Sequence, residues 1–512
     1  MNRSAFILTC TVLLAVAGLW VSTANAQVAN AEIGTGAGTG VTGDYNFTAG
    51  YYSGTNVSGD YNAAVGYNAG QDVSGHRNFA AGVVTGTDVV GERNSAIGYY
   101  TGRGVTGNWN FSAGAYSGSV SSPTIPDPVS GDGNTAVGIV AGTQVSGDWN
   151  FAGGYYTGQS VSGHYNFAGG GYAGGYTTGS YNFAGGHYAG REVGGNYNFA
   201  GGYYAGREVG GNYNFAGGYY AGRNVSGSYN LTEGYYSGRN ISGNNNVALG
   251  YQAGQNISAD NTVSIGTSAN ASVEGGVAIG QNTTNTATNG TAVGSGSQVE
   301  GSGATAYGAS SLAKTNDTAV GYNARATADG AVVIGANSST AAENSVAVGA
   351  DSSVSATGTG GTAVGQNAQV QAGATDSVAL GRNSVASETN TVSVGSSGSE
   401  RRITNVAAAV NGTDAVNLNQ LNSSFTDLSG QINGLDLRLN EVGAMAAALS
   451  AMSAGPRVLG DTQLSVGMGN YRGQNALAAG VFHYVNNRTI VNAGLSKAGG
   501  DATFRVGATF GW

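Results

Sequence analysis

From Tyr181 to Asp260 the chain reads YNFAGGHYAGREVGGN, YNFAGGYYAGREVGGN, YNFAGGYYAGRNVSGS, YNLTEGYYSGRNISGN and NNVALGYQAGQNISAD, five sixteen-residue units with no residue gained or lost. A period of sixteen is too short for a helical-hairpin repeat and suits one turn of a β-solenoid. Worked backwards, the same unit begins at Tyr45, Tyr61, Arg77, Arg93, Trp109, Gly133, Trp149 and Tyr165, which makes thirteen copies. Three columns are constant: the second position is Asn, from Asn46 and Asn62 to Asn246, and the sixth and tenth are Gly, as in Gly202 and Gly206. Such columns place every copy in an equivalent backbone environment, with Gly where φ is positive or the backbone comes close. Stacked Asn side chains can run as amide ladders between turns.

Two further columns compensate each other. Where the third position is Phe the fifth is Ala or Gly, as in Phe79 with Ala81 and Phe199 with Gly201; where the third is small the fifth grows, as in Ala63 with Val65, Ser95 with Ile97 and Thr135 with Val137. Residues i and i+2 of a strand share a face, and a packed interior holds summed volume nearly constant. The expectation is that both positions line the core of the solenoid. Glu233, which follows Leu231 in this pattern, has no explanation there.

Among 512 residues there are 92 Gly, 9% charged residues and only two Lys, Lys314 and Lys497, which is not the composition of ordinary globular domains. The constant columns argue for a repetitive fold rather than disorder. The N-terminus reads as an export signal over residues 1–26: Arg3, an apolar run from Ala5 to about Val21, and Ala24-Asn25-Ala26 ahead of Gln27, with cleavage between Ala26 and Gln27. The only Cys, Cys10, falls inside it, so the mature chain carries no thiol. Loss of the segment removes one Arg and no acid, taking the net charge from −9 to −10. An exported acidic chain without basic clusters excludes nucleic acid as a partner.

Residues 27–44 form a Gly/Thr-rich lead-in; its Gly38-x-Gly40-x-x-Gly43 lacks the strand and helix that a dinucleotide site requires. Residues 45–260 hold the sixteen-residue units, with eight extra residues in the copy from Trp109, around Ser121 to Val129, where Pro123, Pro126 and Pro128 indicate an extruded loop. Across residues 261–399 the Gly column continues at 266, 280, 294, 308, 321, 335, 349, 365, 381 and 395, a spacing mainly of fourteen, in units such as SVAVGADSSVSATG (Ser345 to Gly358). At ~4.8 Å per stacked layer, some twenty-three turns would extend roughly 110 Å.

A different pattern follows. Glu400-Arg401-Arg402-Ile403 leads into NVAAAVNGTDAVNLNQL (Asn405 to Leu421), which completes the segment 400–421. Through residues 422–455, apolar residues step by four and three from Leu421 through Phe425, Leu428, Ile432, Leu435, Leu439, Val442 and Ala446 to Leu449. This is a coiled-coil seam, stopped by Gly455-Pro456. In residues 456–512 the period becomes two: Leu464, Val466 and Met468 alternate with Gly467 and Gly469, and Phe504, Val506, Ala508, Phe510 and Trp512 with Arg505, Gly507, Thr509 and Gly511. Strands near Ala476 to Val485 and Thr489 to Ser496 lie between. Four strands of about ten residues, apolar on one face and small or polar on the other, fit an outer-membrane barrel. Leu464, Val466, Met468, Phe504, Val506, Phe510 and Trp512 would face lipid, and Gly467 and Gly469 the pore. Four strands cannot close a barrel; three chains give twelve, with room for the preceding helices to pass.

At this point the chain resembles the YadA-like trimeric autotransporter adhesins. NSVAVGADS (Asn344 to Ser352) resembles the family's head repeat, ITNVAAAVNGTDAVNLNQL (Ile403 to Leu421) its neck, and Pro456 to Trp512, with GMGNYRGQNALAAGVFHYV inside it, its membrane anchor. The resemblance implies a left-handed parallel β-roll head, display on the surface of a Gram-negative cell with the barrel in the outer membrane, export of the head through that barrel, and the outer-membrane barrel assembly machinery as a partner. The fold expected is mostly β: a trimeric β-roll or solenoid head, a neck, a short trimeric α coiled coil and a twelve-stranded transmembrane β-barrel built by three chains. Most of the head departs from the family pattern in its sixteen-residue Tyr/Phe/Gly-rich units, and the stalk is short.

Chemistry of catalysis or cofactor binding is not indicated. His76, His164, His187 and His483 are scattered, and no nucleophile elbow, zinc, calcium or phosphate-loop motif is present. What remains is the outer surface, where the seventh and eighth positions are often paired Tyr, followed at the eleventh by Arg in Arg207, Arg223 and Arg239. Tyr203, Tyr219 and Tyr235, with Arg207, Arg223 and Arg239, are the candidate ligand-binding residues, because Tyr and Arg are the usual anchors of interfaces and repetition makes weak contacts multivalent. The alternative is that one Tyr of each pair packs between protomers. The function expected is that of a homotrimeric adhesin for a matrix protein, a host surface or another cell; a self-associating coat is the second reading.

Overall fold

The computed structural model describes residues 30–119, 129–456 and 461–512. The leader with Ala26 and Gln27, the start of the lead-in and nearly all of the Pro-bearing loop lie outside the described residues. Two compact units divide at Arg401 and Arg402.

The first unit is a parallel β-solenoid. Each short strand pairs in register with its counterpart in the next copy: Phe151 with Phe167, Phe167 with Phe183, Phe183 with Phe199. Phe111 pairs with Thr135, 24 residues on, so the eight-residue insertion leaves the lattice unshifted. From Val263 the offset falls to fourteen, with Val263 opposite Val277 and Val277 opposite Thr291. Here the opposite wall becomes a nine-stranded sheet, from Asn270–Ala271 to Val385–Ala386. In the sixteen-residue part that wall is held mainly by isolated parallel bridges such as Val193 with Val209.

The interior is narrow and made of small side chains. Position four (Ala80, Ala152, Ala200), position nine (Ala141, Ala173, Ala205) and position thirteen (Val57, Val145, Val209) are buried, as are the Asn residues of position two. Most of these Asn residues bridge two backbone groups across the interior. Asn182 accepts the backbone N–H of Asn198 through Oδ1 at 2.9 Å and donates from Nδ2 to the carbonyl of Gly195 at 2.9 Å, so one amide ties the next turn to the opposite wall. The ladder runs from Asn30 to Asn246 and ends where Thr262 takes the Asn position.

The third and fifth positions do not line this core. Phe79, Phe111, Phe151, Phe167, Phe183, Phe199 and Phe215 are 37–39% exposed, and Val65 and Ile97 are exposed as well. The two positions do share a face, but Asn at position two and Ala at position four occupy the inner one. The size compensation arises because the Phe ring lies flat over the fifth residue: a Cβ added to Gly201 would sit 2.9 Å from Cε1 of Phe199. On an outer face Glu233 is no anomaly; it is exposed. Stacked Phe rings 4.6–4.8 Å apart, from Phe151 to Phe215, make an apolar stripe.

The corners of each turn need left-handed backbone. Gly supplies it at position six, where a Cβ on Gly66 would meet the carbonyl oxygen of Gly82. At position one, however, Tyr165, Tyr181, Tyr197, Tyr213 and Tyr229 hold φ of 57–61°, a conformation that costs a residue with a Cβ about 1–2 kcal/mol. Their rings stack upon one another, and aromatic pairs recover on the order of 0.5–1.5 kcal/mol each.

In the second unit the neck is fastened by side chains. Gln420 pairs with both backbone groups of Ala409, at 2.8 and 3.0 Å, and Asp414 accepts the N–H groups of Val410 and Asn411, both at 2.9 Å. Those bonds hold the Asp414 carboxyl below the usual carboxylate range. Asn417 caps the helix Leu418–Ser450 through the N–H of Gln420, so the helix starts inside the segment read as neck. Its seam residues Leu421, Phe425, Leu428, Ile432, Leu435, Leu439 and Val442 are 46–69% exposed on the single chain.

Four antiparallel strands follow, Thr462–Tyr471, Gln474–Asn486, Thr489–Ala498 and Asp501–Phe510, joined in order with Leu464 opposite Val481, Gly480 opposite Gly494 and Leu495 opposite Phe504. Ala444, Met445, Ala448, Leu449 and Met452 pack on their inner face against Ala476, Ala478, Phe482 and Ala498. No helix among the described residues is long and apolar enough to cross a membrane.

Candidate ligand surface and membrane anchor

The corner formed by positions seven to eleven carries the Tyr and Arg columns. Tyr203 stacks on Tyr219 with centroids 5.0 Å apart, Tyr219 on Tyr235 at 4.9 Å and Tyr235 on Tyr251 at 5.2 Å. A second stack, Tyr188–Tyr204–Tyr220–Tyr236, runs beside it at 4.6–4.9 Å, and the two meet edge to face, as Tyr203 does with Tyr204 at 4.7 Å. Of each pair the first is the more open: Tyr203, Tyr219 and Tyr235 are 39–43% exposed, whereas Tyr204, Tyr220 and Tyr236 are half-buried. Partial burial, and after it the neighbouring phenols, push Tyr219 and Tyr235 above the usual phenol range.

The Arg side chains lie against the inner stack. Arg207, Arg223 and Arg239 sit over Tyr204, Tyr220 and Tyr236, 5.9, 5.9 and 5.4 Å from the ring centres. They are not equivalent. Arg207 contacts Glu192 at 3.6 Å and Glu208 at 3.2 Å, Arg223 contacts Glu208 alone at 3.7 Å, and Arg239 forms no ion pair among the described residues. The positive character of the column therefore grows towards Arg239, where position twelve changes from Glu to Asn224, Asn240 and Asn256.

A second exposed column was not singled out by sequence. Position one brings Tyr165, Tyr181, Tyr197, Tyr213 and Tyr229 together at 48–59% exposure, with ring centres 4.8–5.0 Å apart. Earlier in the column Arg93 lies over Trp109 at 4.3 Å. Repetition at this position was visible, but not that it forms a corner. The His residues join existing ladders: Nδ1 of His76 and of His164 accepts the backbone N–H of Asp60 and of Asp148. No group of three or more His, Cys, Asp or Glu among the described residues is placed to hold a metal ion.

In the second unit Leu464, Val466, Met468, Phe504, Val506 and Phe510 are 65–76% exposed on the outer face of the sheet; Trp512 at the chain end is exposed too. Gly467 and Gly469 point the other way and let the helix touch the sheet. A Cβ on Gly467 would lie 2.3 Å from the carbonyl oxygen of Ala448, and one on Gly469 2.3 Å from the backbone nitrogen of Ala448.

A repeated β-solenoid, a capped neck with an exposed coiled-coil seam, and four strands apolar on one face are the parts of an anchored surface protein. Comparison with known proteins bears on the later part of the chain: the YadA-like membrane anchor domain matches residues 454–512, the coiled stalk of trimeric autotransporter adhesin matches 402–443, and the YadA head domain repeat matches 258–283, 313–338, 326–352, 356–372 and 372–397. Among solved structures, the collagen-binding domain of the Yersinia adhesin YadA is similar to 36% of this chain and is covered over 86% of its own length, with 30% identity and a TM-score of 0.27. The chain belongs to the YadA-like trimeric autotransporter adhesins.

Proposed function

We propose that three copies form an adhesin of a Gram-negative outer membrane, whose Tyr and Arg corner columns hold a matrix protein, a host surface or another cell. The observation that carries this reading is the exposed ladder Tyr203–Tyr219–Tyr235 beside Arg223 and Arg239, which repeats one aromatic and cationic contact every ~4.8 Å. Such groups anchor interfaces, and their repetition multiplies a weak affinity. Trimer formation is supported by two features of the single chain: the exposed helix seam, and the two outer strands Thr462–Tyr471 and Asp501–Phe510, each paired on one edge only. Three sheets joined edge to edge would close twelve strands around three helices, anchoring the head and giving it a route of export.

The test is adhesion of cells displaying the full chain, or the chain with Tyr203, Tyr219 and Tyr235 changed to Ala, to a panel of matrix proteins that includes collagen. The trimer on an unheated gel serves as control. Loss of binding with an intact trimer is expected; unchanged binding would remove these columns from the ligand site. Clumping without binding to any surface would replace the reading by the self-associating coat.

A further inference from the structure

The position-one column carries chemistry that adhesion does not use. Tyr165, Tyr181, Tyr197, Tyr213 and Tyr229 stack with interplanar angles of 1–8° and centroid separations of 4.8–5.0 Å. Their rings are about half exposed. The corner does not require a ring, since Asn245 and Asn261 hold the same backbone in the next two turns, at φ of 57° and 59°. The inner Tyr column beside Arg207 differs: its rings are hemmed in by edge-to-face or tilted neighbours. The head also lacks sulfur, for the only Cys is Cys10 and the four Met are Met1, Met445, Met452 and Met468. No thiol or thioether in residues 30–401 would intercept an oxidising equivalent before a phenol.

We propose that this column is a site of oxidative tyrosine coupling, which ties each solenoid turn covalently to the next. The oxidant is a peroxidase-type one-electron oxidant fed by hydrogen peroxide. Each of two stacked phenols gives up one electron and one proton; the two radicals join through carbons ortho to oxygen, and the hydrogens on those carbons return to the oxygens as the rings regain aromaticity. One C–C bond forms, and one peroxide is reduced to two waters. In a solenoid each turn contacts only its neighbours, so a bond between residues sixteen apart closes the contact at which the stack could otherwise open.

The experiment treats full-length trimers in detergent with horseradish peroxidase and hydrogen peroxide, then digests them with trypsin. Cleavage after Arg207, Arg223 and Arg239 releases residues 208–223 and 224–239. The expected products are dityrosine fluorescence and a linked pair of these peptides joined through Tyr213 and Tyr229, in protein that still runs as a single chain on a heated denaturing gel. Tyr213→Phe keeps the ring but removes the phenol and is expected to lose the linked pair; Tyr219→Phe is expected to keep it. Fluorescence without the pair, a pair that survives Tyr213→Phe, or products found only as multi-chain bands would overturn the proposal.

Discussion

At the scale of residues, Asn at position two does more than decorate a repeat. Because its Oδ1 serves the next turn and its Nδ2 the opposite wall, replacing Asn182 by Ala leaves the N–H of Asn198 and the carbonyl of Gly195 without partners inside the solenoid. An unsatisfied buried group costs about 1–3 kcal/mol. Asn182→Ala is therefore expected to lower the thermal midpoint of the head by circular dichroism and to speed hydrogen exchange at the Asn198 amide, with turns far along the stack unaffected. An amide exchanging at the native rate would deny the ladder its role. The Asn and Gly columns were legible in the sequence because constant columns report backbone need. Which face the Phe column occupies was not. Alternation says only that positions three and five agree, and a size compensation looks the same whether rings pack inside one chain or lie over a Gly on its surface.

Between elements, the decisive contact is the approach of the helix to the strand Thr462–Tyr471. A methyl on Gly469 would meet the backbone nitrogen of Ala448 at 2.3 Å and the carbonyl oxygen of Ala444 at 2.5 Å, and backbone cannot swing aside as a side chain does. Gly469→Ala is expected to weaken or abolish the trimer on unheated gels and to reduce its recovery in outer membranes. Gly500→Ala, where nothing lies within 4 Å of the added methyl, should be silent. Equal behaviour of the two variants would mean that the helix does not stay against the sheet. Small residues alternating with apolar ones made this inner face readable in the sequence. The boundary of the helix was less so, because Asn417 begins it by capping while the apolar seam starts later.

For the whole molecule, the question is what covers the apolar stripe of the head. Phe151 to Phe215 form a continuous half-exposed stack on one chain, and an uninterrupted apolar surface of that kind marks a contact with another molecule. If the stripe faces the other two protomers, a Cys placed there is hidden in the trimer. The natural chain offers no competing thiol beyond Cys10. Phe199→Cys is expected to resist a bulky maleimide until the trimer is dissociated by heat, whereas Tyr203→Cys reacts at once. Rapid labelling of Phe199→Cys in intact trimers would leave the stripe open to a ligand and move the binding surface to it.

The unbroken register has a consequence for heredity. Residues 192–207 and 208–223 are the same sixteen residues, and each such turn meets its neighbours in the same backbone register. Unequal recombination between the blocks that encode them would add or drop whole turns, lengthening or shortening the solenoid by ~4.8 Å a step without creating a new joint. Copy number is then a heritable setting for the length of the solenoid, open to selection without any change in side-chain chemistry.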